Sequence, residues 1–243
     1  MNALILAFLL ACLPRPAAAA SVARAEAMLA NGEVGSALDE VKARVSEAPR
    51  DVAAHELLID ILTSTDRGEL ARDLYAGLAQ QNVGQADFLY LLGRAHPEAE
   101  GSQVAYQAAL ALDGDHARSW MGMGAVHRAV GSWPEAAAAY RQALRRAASL
   151  TEAWLGLRAR LLSAGDVPGA EQAAREQIAA FPDALDGWIA LTEIRSGAKV
   201  TVWKEAVAAS PDQPRRKVFL ARAAFEEGLF DLSAEAYEQA IAQ

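Results

Sequence analysis

The sequence has a single cysteine, Cys12, which lies in a short apolar segment at the start of the chain. If cleavage removes that segment, the remaining protein can form neither a disulfide nor a thiolate metal site. The histidines show no metal-ligand spacing and suggest no catalytic arrangement with Ser, Cys or Asp; they are His55, His96, His116 and His127. We therefore expect no enzymatic activity, no cofactor and no metal.

Long apolar runs and positive charge are also scarce. After residue 20, no stretch approaches 18 consecutive apolar residues, so the sequence predicts no later membrane-spanning helix. The formal net charge is −8. Because nucleic-acid phosphates attract an excess of Lys and Arg, this balance argues against a nucleic-acid partner.

The first twenty residues are typical of a secretory signal. Residues 3–13 form an apolar run that is too short to span a bilayer but long enough for a signal-peptide core. Pro14 and Pro16 end the run, and small residues at 18–20 offer a cleavage site before Ser21. We predict a signal peptide at 1–20 and a periplasmic or secreted protein.

Two alternatives remain for this segment. Cys12 follows Leu9-Leu10-Ala11, a context that resembles the lipobox of bacterial lipoproteins. A lipid on Cys12 would give a membrane-anchored lipoprotein. The segment could also remain uncleaved as an anchor.

A repeat dominates the rest of the chain. Trp120, Trp154 and Trp188 stand 34 residues apart, and this period is typical of stacked helix-turn-helix repeats. In other repeats the Trp position is taken by His55, Leu89 and Lys217. The pattern predicts seven helix pairs that begin near 18, 52, 86, 117, 151, 185 and 214. Two spacings, 31 and 29, are short, and we expect these deletions to fall in turns.

The best-matched repeat resembles the tetratricopeptide repeat consensus. It runs Trp120-x-x-Met123-Gly124, Gly131, Ala136-x-x-x-Tyr140 and Ala143. The resemblance implies an all-α, right-handed α-solenoid over residues 21–243. Close approach of paired helices explains Gly93, Gly124 and Ala221, while the turns between paired helices contain Gly32, Gly131, Gly165 and Gly228.

In tetratricopeptide arrays the concave wall is formed by the first helix of each pair. The residue at the Trp position of each repeat is called here the anchor. The resemblance therefore implies that residues one, five and eight places after each anchor share one surface, called here the first-helix face. Its candidate partner-binding residues, including one at its rim, are Tyr90, Arg94, Arg118, Met121, Arg128, Leu155, Ile189 and Arg222. Further members include Glu56, Asp60, Leu162, Glu193, Ser196, Val218 and Phe225. Aromatic residues, Met and Arg are enriched at interfaces, so we expect this face to bind an extended acidic or amphipathic peptide. The alternative is that the face is exposed to solvent and binds no partner.

The resemblance implies a function in protein–protein interaction. We expect a non-catalytic adaptor or assembly factor of the bacterial cell envelope that binds a peptide or protein client. The alternative is a structural subunit or lipoprotein component of an envelope assembly or secretion machine. The last repeat contains apolar residues that we expect a partner or a second copy to cover, namely Leu229, Phe230, Leu232 and Ile241.

Overall fold

The computed structural model describes residues 21–242. The predicted signal segment, including Cys12, lies outside the described residues. Between Ser21 and Ala242 the chain forms fourteen α-helices and no strand, which confirms the all-α fold class. Within this same range, no helix combines the length and apolar character needed to cross a membrane.

The chain divides into two compact units, the first ending at Arg146 and the second beginning at Ala147. The described N-terminal unit contains α1 (Val22–Ala30), α2 (Val34–Glu47), α3 (Val52–Ser64), α4 (Gly68–Gln81), α5 (Ala86–Ala95), α6 (Ala99–Leu112), α7 (Ala117–Ala129) and α8 (Trp133–Arg146). The C-terminal unit contains α9 (Thr151–Ser163), α10 (Val167–Ala180), α11 (Asp186–Ile194), α12 (Lys199–Ala209), α13 (Pro214–Glu226) and α14 (Phe230–Ile241). A 3-10 turn, Ser196–Ala198, connects α11 to α12.

Each unit has its own apolar core. Leu58, Ile59 and Tyr75 are among the buried residues of the N-terminal core. Trp188 and Trp203 belong to the C-terminal core, together with aliphatic residues of α11 and α13.

The first helices pack differently in the two units. In the N-terminal unit, Cα atoms of α3 and α5, and of α5 and α7, approach within 8 Å. Among the described residues of the C-terminal unit, neither α9 and α11 nor α11 and α13 come that close. The first helices of the C-terminal unit are therefore spread further apart.

Small residues allow the paired helices to approach, as the sequence predicts. A Cβ atom added to Gly93 would lie 2.5 Å from the Tyr106 ring, and one added to Gly124 would lie 2.7 Å from the Tyr140 ring. Ala221 is fully buried. The close-packing interpretation of these positions is confirmed.

The turns inside the pairs share one geometry. Gly131 has φ 77° in the left-handed region, and Ser132 N donates to His127 O at 2.8 Å, closing the end of α7. The other predicted turn glycines also have positive φ. In the second pair Asp66 is the left-handed turn residue, with φ 58°. The sequence did not predict this turn position, because glycine was the only residue type expected there.

The short repeats have shortened helices but no shortened turn: the turn inside the pair is 96–98 in the third repeat and 195–198 in the sixth, compared with three residues, such as 130–132, in the other pairs. The expectation that deletions fall in turns is therefore wrong. Helix α5 has 10 residues and α11 has 9, whereas α3, α7, α9 and α13 each have 13. Removing about one helical turn of 3.6 residues leaves the remaining side chains on their original face. A deletion of this length can therefore be accommodated inside a helix.

Candidate functional site

The first-helix face of the N-terminal unit is closed by contacts between neighbouring repeats. Tyr90 donates its hydroxyl to Glu56 Oε1 at 2.5 Å, and Arg94 Nη2 donates to both carboxylate oxygens of Asp60 at 2.9 and 3.0 Å. Each donor lies 34 residues after its acceptor, one repeat along the chain. The acids on this face therefore neutralise or bind the residues selected as partner contacts.

Two candidate residues of this unit are buried. Tyr90 is 1% exposed and stacks on Tyr106 with ring centroids 5.9 Å apart, while Met121 is 7% exposed. The direct approach of α5 to α7 leaves little room for a guest at these positions. Their placement contradicts the expectation that both side chains line an open surface.

The remaining N-terminal candidates divide into one paired and one exposed arginine. Arg118 Nε lies 3.3 Å from Glu56 Oε1, so this carboxylate contacts both Arg118 and Tyr90. Burial raises the pKa of the Tyr90 phenol well above its usual value, and the Glu56 carboxylate adds to the shift. Arg128 is exposed. The cationic character expected for an acidic guest is largely offset here.

The C-terminal unit presents a more apolar and open first-helix face. Leu155 and Leu162 of α9 are 54% and 44% exposed. Ile189 of α11 is half-buried, and Arg222 of α13 is exposed. Phe225, three residues after Arg222, is also exposed. The structure thus leaves Leu155, Ile189 and Arg222 accessible in the unit whose first helices are spread apart.

A cavity of about 220 Å³ opens among α11, α12 and α13. Its lining residues are Ile189, Thr192, Glu193, Ser196, Lys199, Trp203, Phe219, Arg222, Ala223 and Glu226. Four of them, Ile189, Glu193, Ser196 and Arg222, belong to the predicted first-helix face. The cavity therefore brings together residues of different elements that the repeat spacing predicts on the first-helix face.

Aromatic rings form the apolar part of this cavity. Trp203 and Phe219 stack with centroids 4.5 Å apart and an interplanar angle of 13°. Trp203 is buried, and Phe219 is partly accessible. Their parallel packing gives the cavity an apolar wall.

Charged groups of both signs surround the cavity. Lys199 Nζ lies 2.8 Å from Glu226 Oε2, and the next residue, Glu227, accepts from Val200 N at 3.4 Å. The hydrogen bond from Lys199 lowers the pKa of the Glu226 carboxyl, and the charge of Arg222 contributes in the same direction. These contacts join the start of α12 to the end of α13.

Sequence reasoning missed Lys199, Trp203, Phe219 and Glu226 as cavity residues. Lys199 and Trp203 lie on α12, the second helix of its pair, and the prediction considered only first helices. Phe219 and Glu226 lie on the first helix α13, but not one, five or eight places after its anchor Lys217. The sequence contained one indication of the cavity, because the sixth and seventh repeats begin near 185 and 214 and are only 29 residues apart. The shortened α11 ends at Ile194, and the space beyond it is bordered by the 3-10 turn and Lys199.

Apolar side chains also remain exposed at α13 and α14. Phe230 and Ile241 are 62% and 84% exposed, and Leu229 is exposed as well. Leu232 instead packs against the C-terminal core. Phe225 and Phe230 meet edge to face with centroids 5.5 Å apart. Three of the four residues named for this patch are thus accessible.

Acidic and histidine side chains do not converge into a metal site anywhere in residues 21–242. The cavity carboxylates Glu193 and Glu226 are accompanied by cationic side chains.

Comparisons with known proteins identify the type of repeat. The tetratricopeptide repeat family model matches residues 99–151 and 123–184. No curated protein sequence matches the chain.

Solved structures share the fold at low sequence identity. A thermophilic tetratricopeptide repeat protein of Thermus thermophilus is 18% identical in sequence and superposes with a TM-score of 0.55. The alignment covers 71% of this chain and 96% of the Thermus chain. A chain of the Cut9–Hcn1 hetero-tetramer of APC/C is 13% identical in sequence and superposes with a TM-score of 0.55. The alignment covers 90% of this chain and 45% of the APC/C chain. Both similarities concern the fold.

Proposed function

Because residues 99–184 are tetratricopeptide repeats and the chain has the fold of that family, we propose that it is a non-catalytic adaptor or assembly factor that binds a protein client. The client contacts the first-helix face of the C-terminal unit. The observation that carries this proposal is the cavity of about 220 Å³ that includes exposed Arg222 in its lining. Leu155 and Leu162 on α9 add exposed apolar surface to the same unit. Exposed apolar surface next to charged groups is characteristic of interaction sites.

A pair of charge reversals on α13 tests the site. Arg222→Glu removes the guanidinium donor at the cavity and leaves a third carboxylate beside Glu193 and Glu226, so client co-purification from the native host should fall by about tenfold, equivalent to ~1.4 kcal/mol. Arg215→Glu makes the same charge change at an exposed position of α13 outside the cavity lining and should leave co-purification unchanged. Equal capture by both folded variants would contradict the assignment.

We place the protein in the bacterial cell envelope on the basis of its first twenty residues. An apolar segment followed by small residues supports export and cleavage before Ser21. Intact mass of the protein from its native host should begin at Ser21. A diacylated species beginning at Cys12 would replace this proposal with the membrane-anchored lipoprotein, and a full-length cytosolic product would contradict both.

A second function, as a structural subunit of an envelope assembly, is favoured by exposed Phe225, Phe230 and Ile241. A partner subunit or second copy would bury this apolar group. In that case Phe230→Ser should reduce stable complex formation measured by light scattering, without lowering helicity. Unchanged assembly in that variant would argue against a role for this surface.

A further inference from the structure

The size of the C-terminal cavity restricts its occupant. Pockets for drug-sized ligands are typically ~300–1,000 Å³. The present cavity, about 220 Å³, is smaller. A buried apolar cavity of about 150 Å³ is enough for a benzene molecule. The space therefore suits one large side chain better than a whole small-molecule ligand.

The walls favour an aromatic or bulky apolar occupant. Phe219 is held in a fixed plane by its stacking on buried Trp203. Ile189 and Ala223 add aliphatic surface to the lining. Aromatic rings prefer offset or edge contacts with such a face, and these contacts add about 0.5–1.5 kcal/mol to area burial.

The charges around the cavity are balanced. Lys199 and Glu226 form an ion pair, and the other charged lining residues are Arg222 and Glu193. A rim with equal numbers of cations and anions gives no net attraction for a charged side chain. Its groups can instead bind the two kinds of polar group in a peptide backbone, because Arg222 donates and Glu193 accepts.

Hydroxyl groups complete this polar border. Thr192 and Ser196 line the cavity beside Glu193. Thr192 donates its hydroxyl hydrogen to Trp188 O at 2.8 Å, so only its oxygen remains to accept a hydrogen bond. The Ser196 hydroxyl can donate or accept, and the two residues together suit a peptide backbone that passes the opening. The lining thus combines an aromatic wall with donors and acceptors at its edge.

We propose that the cavity bounded by Phe219, Ile189 and Arg222 binds one aromatic side chain from an uncharged stretch of the client. This inference rests on the proposed client-binding function. Binding of that side chain depends on shape and apolar contact. The net charge of the client segment contributes little, in contrast to the acidic guest expected from the arginine content.

Disulfide tethering tests the preference without knowledge of the client. Ser196→Cys is introduced into full-length Cys12→Ser protein, placing one thiol at the cavity. The protein is equilibrated with equal amounts of 2-phenylethanethiol, 2-aminoethanethiol and 3-mercaptopropionate disulfides under reducing conditions. Intact mass then reports which fragment is retained.

The phenyl fragment should be retained about five- to tenfold over each charged fragment, which lies within the ~2- to 13-fold range to which an aromatic contact of about 0.5–1.5 kcal/mol converts. A matched Ser36→Cys protein carries its thiol at an exposed site on α2 and should show no such preference. Equal retention of all fragments at position 196, or preference for a charged one, would overturn the proposal.

A second substitution separates the aromatic contact from general apolarity. Phe219→Leu in the Ser196→Cys protein keeps an apolar wall but removes the ring, so phenyl retention should fall by about threefold. Retention unchanged by this substitution would also overturn the proposal. If phenyl preference is absent while Arg222→Glu still reduces client capture, the pocket assignment fails and the client-binding function stands. If Arg222→Glu leaves capture unchanged, the proposed client-binding site fails instead, whatever the fragment preference.

Discussion

At the scale of single residues, a repeated contact fixes the junctions between helix pairs. The anchor residue donates from its ring to a carbonyl six residues earlier in His55 to Pro49, Trp120 to Gly114 and Trp154 to Ala148, with distances of 3.0, 2.9 and 2.8 Å. Trp188 Nε1 is instead buried without a hydrogen-bond partner, and the Pro182 carbonyl, six residues earlier, accepts from Arg216. The buried Arg216 guanidinium also lies over the Trp188 ring at 5.7 Å. One side chain thereby replaces the usual anchor contact.

Trp154→Ala should lower the free energy of unfolding by about 3–5 kcal/mol. Trp154 is only 5% exposed, and the substitution also removes the donor to Ala148 O. Urea unfolding measures the loss. Trp133→Ala is the comparison because Trp133 is 40% exposed, and it should cost much less. A midpoint unchanged by Trp154→Ala would contradict the assigned packing.

His55 should make stability depend on pH. Burial lowers the pKa of its imidazole below 6.5, although the Pro49 carbonyl and Asp51 oppose the shift. The unfolded chain therefore binds a proton before the folded chain does. The free energy of unfolding contributed by this lowered pKa is present above the unfolded pKa and is lost as pH falls toward the folded pKa, by at most about 1.4 kcal/mol per pH unit.

Urea unfolding from about pH 7.5 to about pH 5.5 measures this dependence. His55→Gln retains an N–H donor for Pro49 O but does not titrate, so its stability should decline less over the same interval. Carboxyl groups titrate mainly below this window and are present in both proteins. Parallel stability curves for the two proteins would show that His55 does not supply the dependence.

At the scale of helices and turns, the sequence predicted the features that repeat and missed those that depend on lateral neighbours. Gly93 and Gly124 identified close helix approach because any side chain would meet a tyrosine ring. The burial of Tyr90 and Met121 could not be inferred from spacing on one helix. It depends on how closely α5 and α7 approach, whereas the cavity depends on residues of α12 that the repeat rule does not select.

Opposite substitutions at equivalent turns test the turn geometry. Gly131→Ala introduces a Cβ at φ 77° and should destabilise by about 1 kcal/mol or more. Asp66→Gly relieves a left-handed non-glycine residue at φ 58° and should stabilise by about 0.5 kcal/mol. Thermal melting of both variants measures the pair. Destabilisation by Asp66→Gly would show that contacts of the aspartate outweigh its backbone strain.

At the scale of the whole molecule, two units built from the same repeat have different first-helix faces. The N-terminal unit uses acids of one repeat to bind Tyr90 and Arg94 of the next. The C-terminal unit leaves apolar residues exposed and has an open cavity lined in part by Arg222. The proposal that the second face binds the client, while the first serves packing between repeats, rests on this difference.

Site-specific photo-crosslinking tests that assignment most directly. A benzophenone amino acid is placed at Arg222 in the C-terminal unit and, in a separate protein, at Arg128, an exposed first-helix position of the N-terminal unit. Irradiation in the native host should give one discrete client adduct from position 222 and none from position 128. A client adduct from position 128 with none from position 222 would contradict the central claim.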